Sequence, residues 1–120
     1  MPISLNKIAN NVANVSFVYD SETVNFSYYP ARITEKTFAQ LQSLESMSNI
    51  EDINTGFAAL NSMLAQLIKK WDVYEDDAQT VVYPLEAARL ADLPIMFRMQ
   101  VLGTILRDFR PEALMPQTLN

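Results

Sequence analysis

The sequence contains no histidine and no cysteine, and its only glycines are Gly56 and Gly103. Without histidine, the Ser-His-Asp arrangement and every general base built on imidazole are excluded. Without cysteine there is neither a disulfide framework nor a thiolate zinc site, and with both residue types missing the usual zinc ligand sets are excluded too. Two isolated glycines cannot form a phosphate-cradling loop, which needs several close together so that backbone N–H groups approach the anion. Basic side chains are sparse: nine Lys and Arg against fourteen Asp and Glu leave a formal charge of −5, and Lys69-Lys70 are the only adjacent basic pair. Nucleic acid is therefore not expected as a partner, because binding it depends on cations displacing counterions from phosphates. Long apolar runs are missing as well. No window approaches the roughly 18 consecutive apolar residues that a membrane helix needs, and the first twenty residues, MPISLNKIANNVANVSFVYD, hold no apolar stretch of signal-peptide length. The expectation is a soluble protein made in the cytoplasm, with no membrane partner.

What is present is the composition of one globular domain. The 120 residues are 49% hydrophobic and 19% charged, with six Phe, five Tyr and one Trp, enough apolar surface to offset the entropy of ordering a chain of this length. The segment Met1 to Asn14 is polar and Asn-rich, and reads as a flexible arm. From Val15 the apolar period becomes two. Val15, Phe17 and Tyr19 alternate with Ser16 and Val18; after Asp20-Ser21-Glu22, Val24, Phe26 and Tyr28 alternate with Asn25, Ser27 and Tyr29. Two such runs around a short polar turn predict a β-hairpin whose turn type is left open by the lack of Asn-Gly or Asp-Gly. One face of the hairpin is apolar and needs helices to cover it.

Pro30 stops the second strand, and Thr34 is positioned to cap a helix from Glu35 to about Met47. A second helix starts at Asp52 or Asn54, and Phe57, Leu60, Leu64, Leu67, Ile68 and Trp71 continue one helical stripe to its end. That reading places Lys69 and Lys70 in the last turn, where cations complement the helix dipole. Val73 to Tyr83 reads as an ordered loop with a short extended piece. Pro84 suits the first turn of a short helix through Leu90, and Asp92 is expected to cap a final helix that runs to Phe109, before Arg110-Pro111. The predicted fold class is α+β: an N-terminal hairpin packed on three to four helices, one domain over residues 15–110, followed by a flexible tail over 111–120.

The chemistry left to such a chain is carboxylates and apolar surface. Asp72, Glu75, Asp76 and Asp77 are dense enough to suggest a calcium loop, but their spacing is not that of an EF-hand and no glycine supplies its turn, so a solvated acidic loop is the plainer reading. Glu45, Glu51 and Asp52 could form paired acids, yet no other signature of glycoside chemistry accompanies them. The last helix is broadly hydrophobic, with Ile95, Met96, Phe97, Met99, Val101, Leu102, Ile105, Leu106 and Phe109 on more than one face. Either it is central and buried all round, or part of it is a docking groove or oligomer seam. Trp71 reads as a core anchor before it reads as a binding hot spot.

The hairpin leading through Pro30 into a helix, the Lys69-Lys70-Trp71-Asp72 junction, the acidic turn Glu75-Asp76-Asp77, Pro84-Leu85 and the Leu93-Pro94 helix together resemble the tail assembly chaperones of long-tailed, non-contractile bacteriophages. The chain departs from that pattern where the family tends to carry glycine: Asp20-Ser21-Glu22 stand in the hairpin turn and Ala78-Gln79 after the acidic turn. The resemblance implies a non-catalytic protein of the host cytoplasm, without cofactor or metal and absent from the mature virion. Such proteins bind and solubilise the tape measure protein, help recruit tail tube protein and are often made in a longer, frameshifted form; homo-oligomers are possible. On this reading Met96, Phe97, Met99 and Leu102 are the expected contacts to the partner. The alternatives are a structural virion protein, a connector or minor tail subunit forming an oligomeric ring, and a small enzyme working with carboxylates and tyrosines alone.

Overall fold

Alternating residues from Ala13 onward build the hairpin. In the computed structural model, which describes residues 10–46 and 53–109, β1 (Ala13–Tyr19) pairs antiparallel with β2 (Glu22–Tyr28), from Ala13 opposite Tyr28 to Tyr19 opposite Glu22. Only Asp20 and Ser21 remain for the turn, and both take positive φ, 51° and 67°. This is the two-residue turn whose twist matches that of the strands it joins, formed here without glycine. Strand pairing already begins at Ala13, two residues inside the segment expected to be an arm. Residues 1–9 of that arm and the tail over 111–120 lie outside the described residues.

Thr34 caps the next helix as expected: its Oγ1 accepts the Thr37 N–H at 3.2 Å at the start of α1 (Glu35–Ser46). The expected helix end at Met47 and the Asp52 start of the following helix lie outside the described residues. The second helix, α2 (Ile53–Leu67), stops four residues short of Trp71. Ile68–Trp71 is instead β3, antiparallel to β2, with Phe26 opposite Trp71, Ser27 opposite Lys70 and a bulge between Ser27 and Tyr28. The open edge of β2 decides this. Its unpaired backbone groups accept or donate along the new strand, with Tyr29 N–H bonded to Leu67 O at 2.9 Å and Asp72 N–H to Asn25 O at 3.1 Å. Lys69 and Lys70 are thus exposed strand residues, and the dipole argument for them does not apply.

Beyond β3 the chain folds back on itself. Tyr74 and Val82 bridge, Glu75 N–H reaches Val81 O and Tyr83 N–H reaches Val73 O, each at 2.8 Å, which is the short extended piece foreseen in the loop. The following short helix begins later than Pro84, as α3 (Ala87–Leu90) after an extended Glu86. The cap of α4 (Ile95–Asp108) is Pro94, not Asp92. Pro94 lacks an N–H, so its carbonyl can accept from Arg98 N–H at 3.2 Å without leaving a donor unsatisfied.

The architecture is α+β, as the sequence predicts, with a third strand added: sheet order β1-β2-β3, and four α-helices among the described residues. Phe17, Phe26, Tyr28, Ile68 and Trp71 line the covered face of the sheet, and Leu41, Leu44, Leu60, Leu64, Val101, Leu102 and Ile105 complete the core from the helices.

Candidate partner-binding surface

The breadth of the apolar surface on α4 has a packing cause. The helix contacts β1 on one side and α1 on another, so more than one stripe has to be apolar. Phe97 is the hub of an aromatic cluster, with ring centroids 5.5 Å from Phe17, 5.0 Å from Tyr19 and 6.1 Å from Trp71. Trp71 is a core anchor: it is buried, and its indole N–H donates to Tyr83 O at 2.9 Å.

The four residues expected to contact a partner therefore separate. Leu102 is fully buried and Phe97 is 7% exposed, so both belong to the core and neither is available to another chain in this fold. Their wide apolar context reflects two packed sides, not an open groove. Met99 is half-buried against the core, and Met96 is 66% exposed. Its neighbour Ile95, not among the four, is 47% exposed. Within α4 the open apolar surface is thus confined to the first turn, on one very adaptable side chain and one β-branched one, while Val18, Val81 and Val82 are exposed elsewhere on the protein.

Directly after that turn stands a residue that apolar patterning passes over. Arg98 is only 5% exposed. Its Nη1 donates to Asn61 Oδ1 at 2.7 Å, its guanidinium carbon lies 5.6 Å from the Phe57 ring centroid, and its buried Nε finds no acceptor among the described residues. Burial pulls its pKa below the usual arginine value. The sequence did carry a signal: Arg98 shares a helical face with the buried Leu102 and Ile105 at offsets of four and seven, so a charge sits on the core stripe.

The acidic constellation is dispersed among separate duties. Asp72 accepts from Asn25 N–H at 2.8 Å and from its side-chain amide at 2.9 Å. Glu75 pairs with Arg89 at 2.6 Å, and that contact raises the pKa of the guanidinium. Asp76 accepts from the Thr80 hydroxyl and from the backbone N–H groups of Thr80 and Val81, at 3.0 and 3.1 Å for the latter two. These bonds, the Thr80 hydroxyl first, hold its carboxyl below the ordinary aspartate range. Asp76 organises the tip of the 73–83 hairpin, where Gln79 takes a positive φ of 59°. Glu51 and Asp52 lie outside the described residues.

The other face of the sheet holds an open, shallow cleft of about 370 Å³ lined by Asn14, Ser16, Asn25, Ser27, Lys70 and Asp72 along with their strand neighbours. At 1% exposure, Ser27 is closed off by the strands on both sides, and its Oγ has no partner among the described residues.

No family model, curated protein or solved structure matches the chain. Among the described residues, no helix is long and apolar enough to cross a membrane.

Proposed function

We propose that this chain is a tail assembly chaperone of a long-tailed, non-contractile bacteriophage. It binds helical segments of the tape measure protein, keeps them soluble and helps recruit tail tube protein, with no bond-making chemistry of its own. The observation that carries the reading is the exposed pair Ile95 and Met96, opening a helix whose next turns are locked into the core. A rigid helix start presenting apolar side chains suits the docking of an amphipathic helix, which needs apolar anchors one turn apart. The acidic surface supports the same role, since a net charge of −5 keeps a complex with a long apolar-faced polypeptide dispersed.

Co-expression with a tape measure protein is the test. The expected result is co-purification and a larger soluble fraction of the tape measure protein, with this chain missing from purified particles by mass spectrometry. Failure to co-purify contradicts the proposal, and stoichiometric presence in particles would favour a structural virion subunit.

A further inference from the structure

The outer edge of β1 is open, and the direction of its backbone groups follows from the strands beside it. Asn25 O accepts from Asp72 N–H and Tyr29 N–H donates to Leu67 O, so the backbone groups of Asn25, Ser27 and Tyr29 face β3. Those of Val24, Phe26 and Tyr28 face β1, where they meet Phe17, Val15 and Ala13. The remaining residues of β1, Asn14, Ser16 and Val18, therefore direct their N–H and C=O groups away from the sheet. All three are exposed, Val18 at 62%. Among the described residues nothing pairs with these six groups, and β2 is the one neighbour of β1. The helix α4 does not cover them, because it crosses the inner face of the sheet, where Phe97 packs on both Phe17 and Trp71.

Edge strands are normally guarded by charge, proline or a bulge. The other edge, β3, is four residues long, carries Lys69 and Lys70 and pairs with β2 through a bulge. None of these guards β1: it runs for seven residues in unbroken register with β2, and no charged residue or proline stands between Asn10 and Tyr19. Charge then selects how a second copy can approach. With a net charge of −5 per chain, two copies repel unless they meet along a neutral stretch and keep their acids apart. Parallel pairing in register would set Asp20 beside Asp20 of the second copy. Antiparallel pairing about Ser16 holds those carboxylates about 27 Å apart, well past the screening length of about 8 Å.

We propose that β1 pairs with β1 of a second copy, antiparallel about a two-fold axis at Ser16, to make a dimer with one continuous six-stranded sheet. In that register Ser16 faces Ser16, Asn14 faces Val18, Val15 faces Phe17 and Ala13 faces Tyr19 of the second copy. All seven residues of the strand pair, the six outward groups of each copy are bonded, and the apolar row of the inner face runs on from one sheet to the next. A slip of one residue would set outward groups against inward ones, and a slip of two would leave strand residues unpaired. The interface closes on itself, and the lysine-bearing β3 edges end the sheet. A seven-residue strand is about 23 Å long, so edge pairing alone stays below the roughly 1,200 Å² of a standard interface, and the dimer is reversible. The inference concerns a surface other than the start of α4 and does not depend on a helix binding there.

Two measurements on the full chain test it. In sedimentation equilibrium between about 10 μM and 1 mM, the average mass should climb from one chain toward two. Ser16→Pro removes an outward N–H at the centre of the edge and no bond to β2, so it should stay a single chain throughout with its fold intact. If that variant does not fold, Ser16→Lys, which sets two cations face to face across the axis, should do the same. The register is read by cross-linking, since the chain has no cysteine of its own. Under mild oxidation Ser16→Cys should form a disulfide-linked dimer, its two Cα atoms lying about 5.5 Å apart. Asn14→Cys, about 13 Å from its counterpart, should not. A single-chain mass over the whole range would overturn the proposal, as would equal cross-linking of the two cysteine variants or dimers that survive both substitutions of Ser16. Slow amide exchange at Ser16 and Val18 in dilute, single-chain protein would also overturn it, because the edge would then be covered from within the same chain.

Discussion

The Tyr28 hydroxyl donates to Asp108 Oδ2 at 2.6 Å, joining the last residue of β2 to the last residue of α4 across 80 positions of sequence. Tyr28 has no exposed surface. Burial first, then the carboxylate bonded to it, hold its phenol proton far above the ordinary tyrosine range. The bond closes the fold at the end opposite to the exposed start of α4.

Tyr28→Phe should therefore cost about 1.5 to 3 kcal/mol, the worth of a hydrogen bond to a charged acceptor. It should also change the alkaline response. Above about pH 10 the unfolded tyrosine loses its proton while the folded one keeps it, so the unfolded state binds fewer protons and stability falls as pH rises. The contribution is fully present below about pH 10. Urea unfolding between about pH 8 and 11 should show this decline in the parent and a shallower one in Tyr28→Phe.

Ser21→Gly should stabilise the protein by about 0.5 to 1 kcal/mol. Ser21 holds φ at 67°, a left-handed conformation that costs an L-residue about 1 to 2 kcal/mol and glycine almost nothing, less the entropy glycine gains when unfolded. Gln79→Gly, at φ 59°, should act in the same direction. Denaturation midpoints read both effects, and Ser21→Val should move the midpoint the opposite way.

Gly103→Ala should raise stability by about 0.5 to 1 kcal/mol through helix propensity. An added Cβ would meet Arg107 Nη1 at 3.1 Å and Glu45 Oε2 at 3.3 Å, both tips of flexible, exposed side chains that can withdraw. Gly103→Leu has no such relief between α1 and α4 and should destabilise. Thermal melts of the two variants check the pair.

Phe97→Ala should cost about 3 to 5 kcal/mol, because it removes the ring that Phe17, Tyr19 and Trp71 all pack against. Met96→Ser should leave stability within about 0.5 kcal/mol, as expected for an exposed position. Circular-dichroism melts of the two neighbours separate core from surface on one helix.

How much of this was legible beforehand depended on whether the deciding interaction was local. The hairpin was legible from its period of two, and the cap at Thr34 from one residue type beside a helical pattern. The third strand was not: Leu64, Leu67, Ile68 and Trp71 keep helical spacing, and what overrides it is the free edge of β2, some forty residues away. Phe97 and Leu102 looked like Met96 because a helix packed on two sides is as broadly apolar as one with an open face. The charge at Arg98 sat on that stripe, but its burial against Asn61 and Phe57 could be seen only in three dimensions. Asp92 lost the capping position to Pro94 because the helix begins only after the proline.

Amide hydrogen exchange on the complex with the tape measure protein tests the central claim most directly. Exchange in residues 95–99 of α4 should slow on binding, and Met96→Glu, which leaves the free fold intact, should abolish both the slowing and the complex. A complex that forms equally well with Met96→Glu, with protection elsewhere and none at the start of α4, would contradict the account.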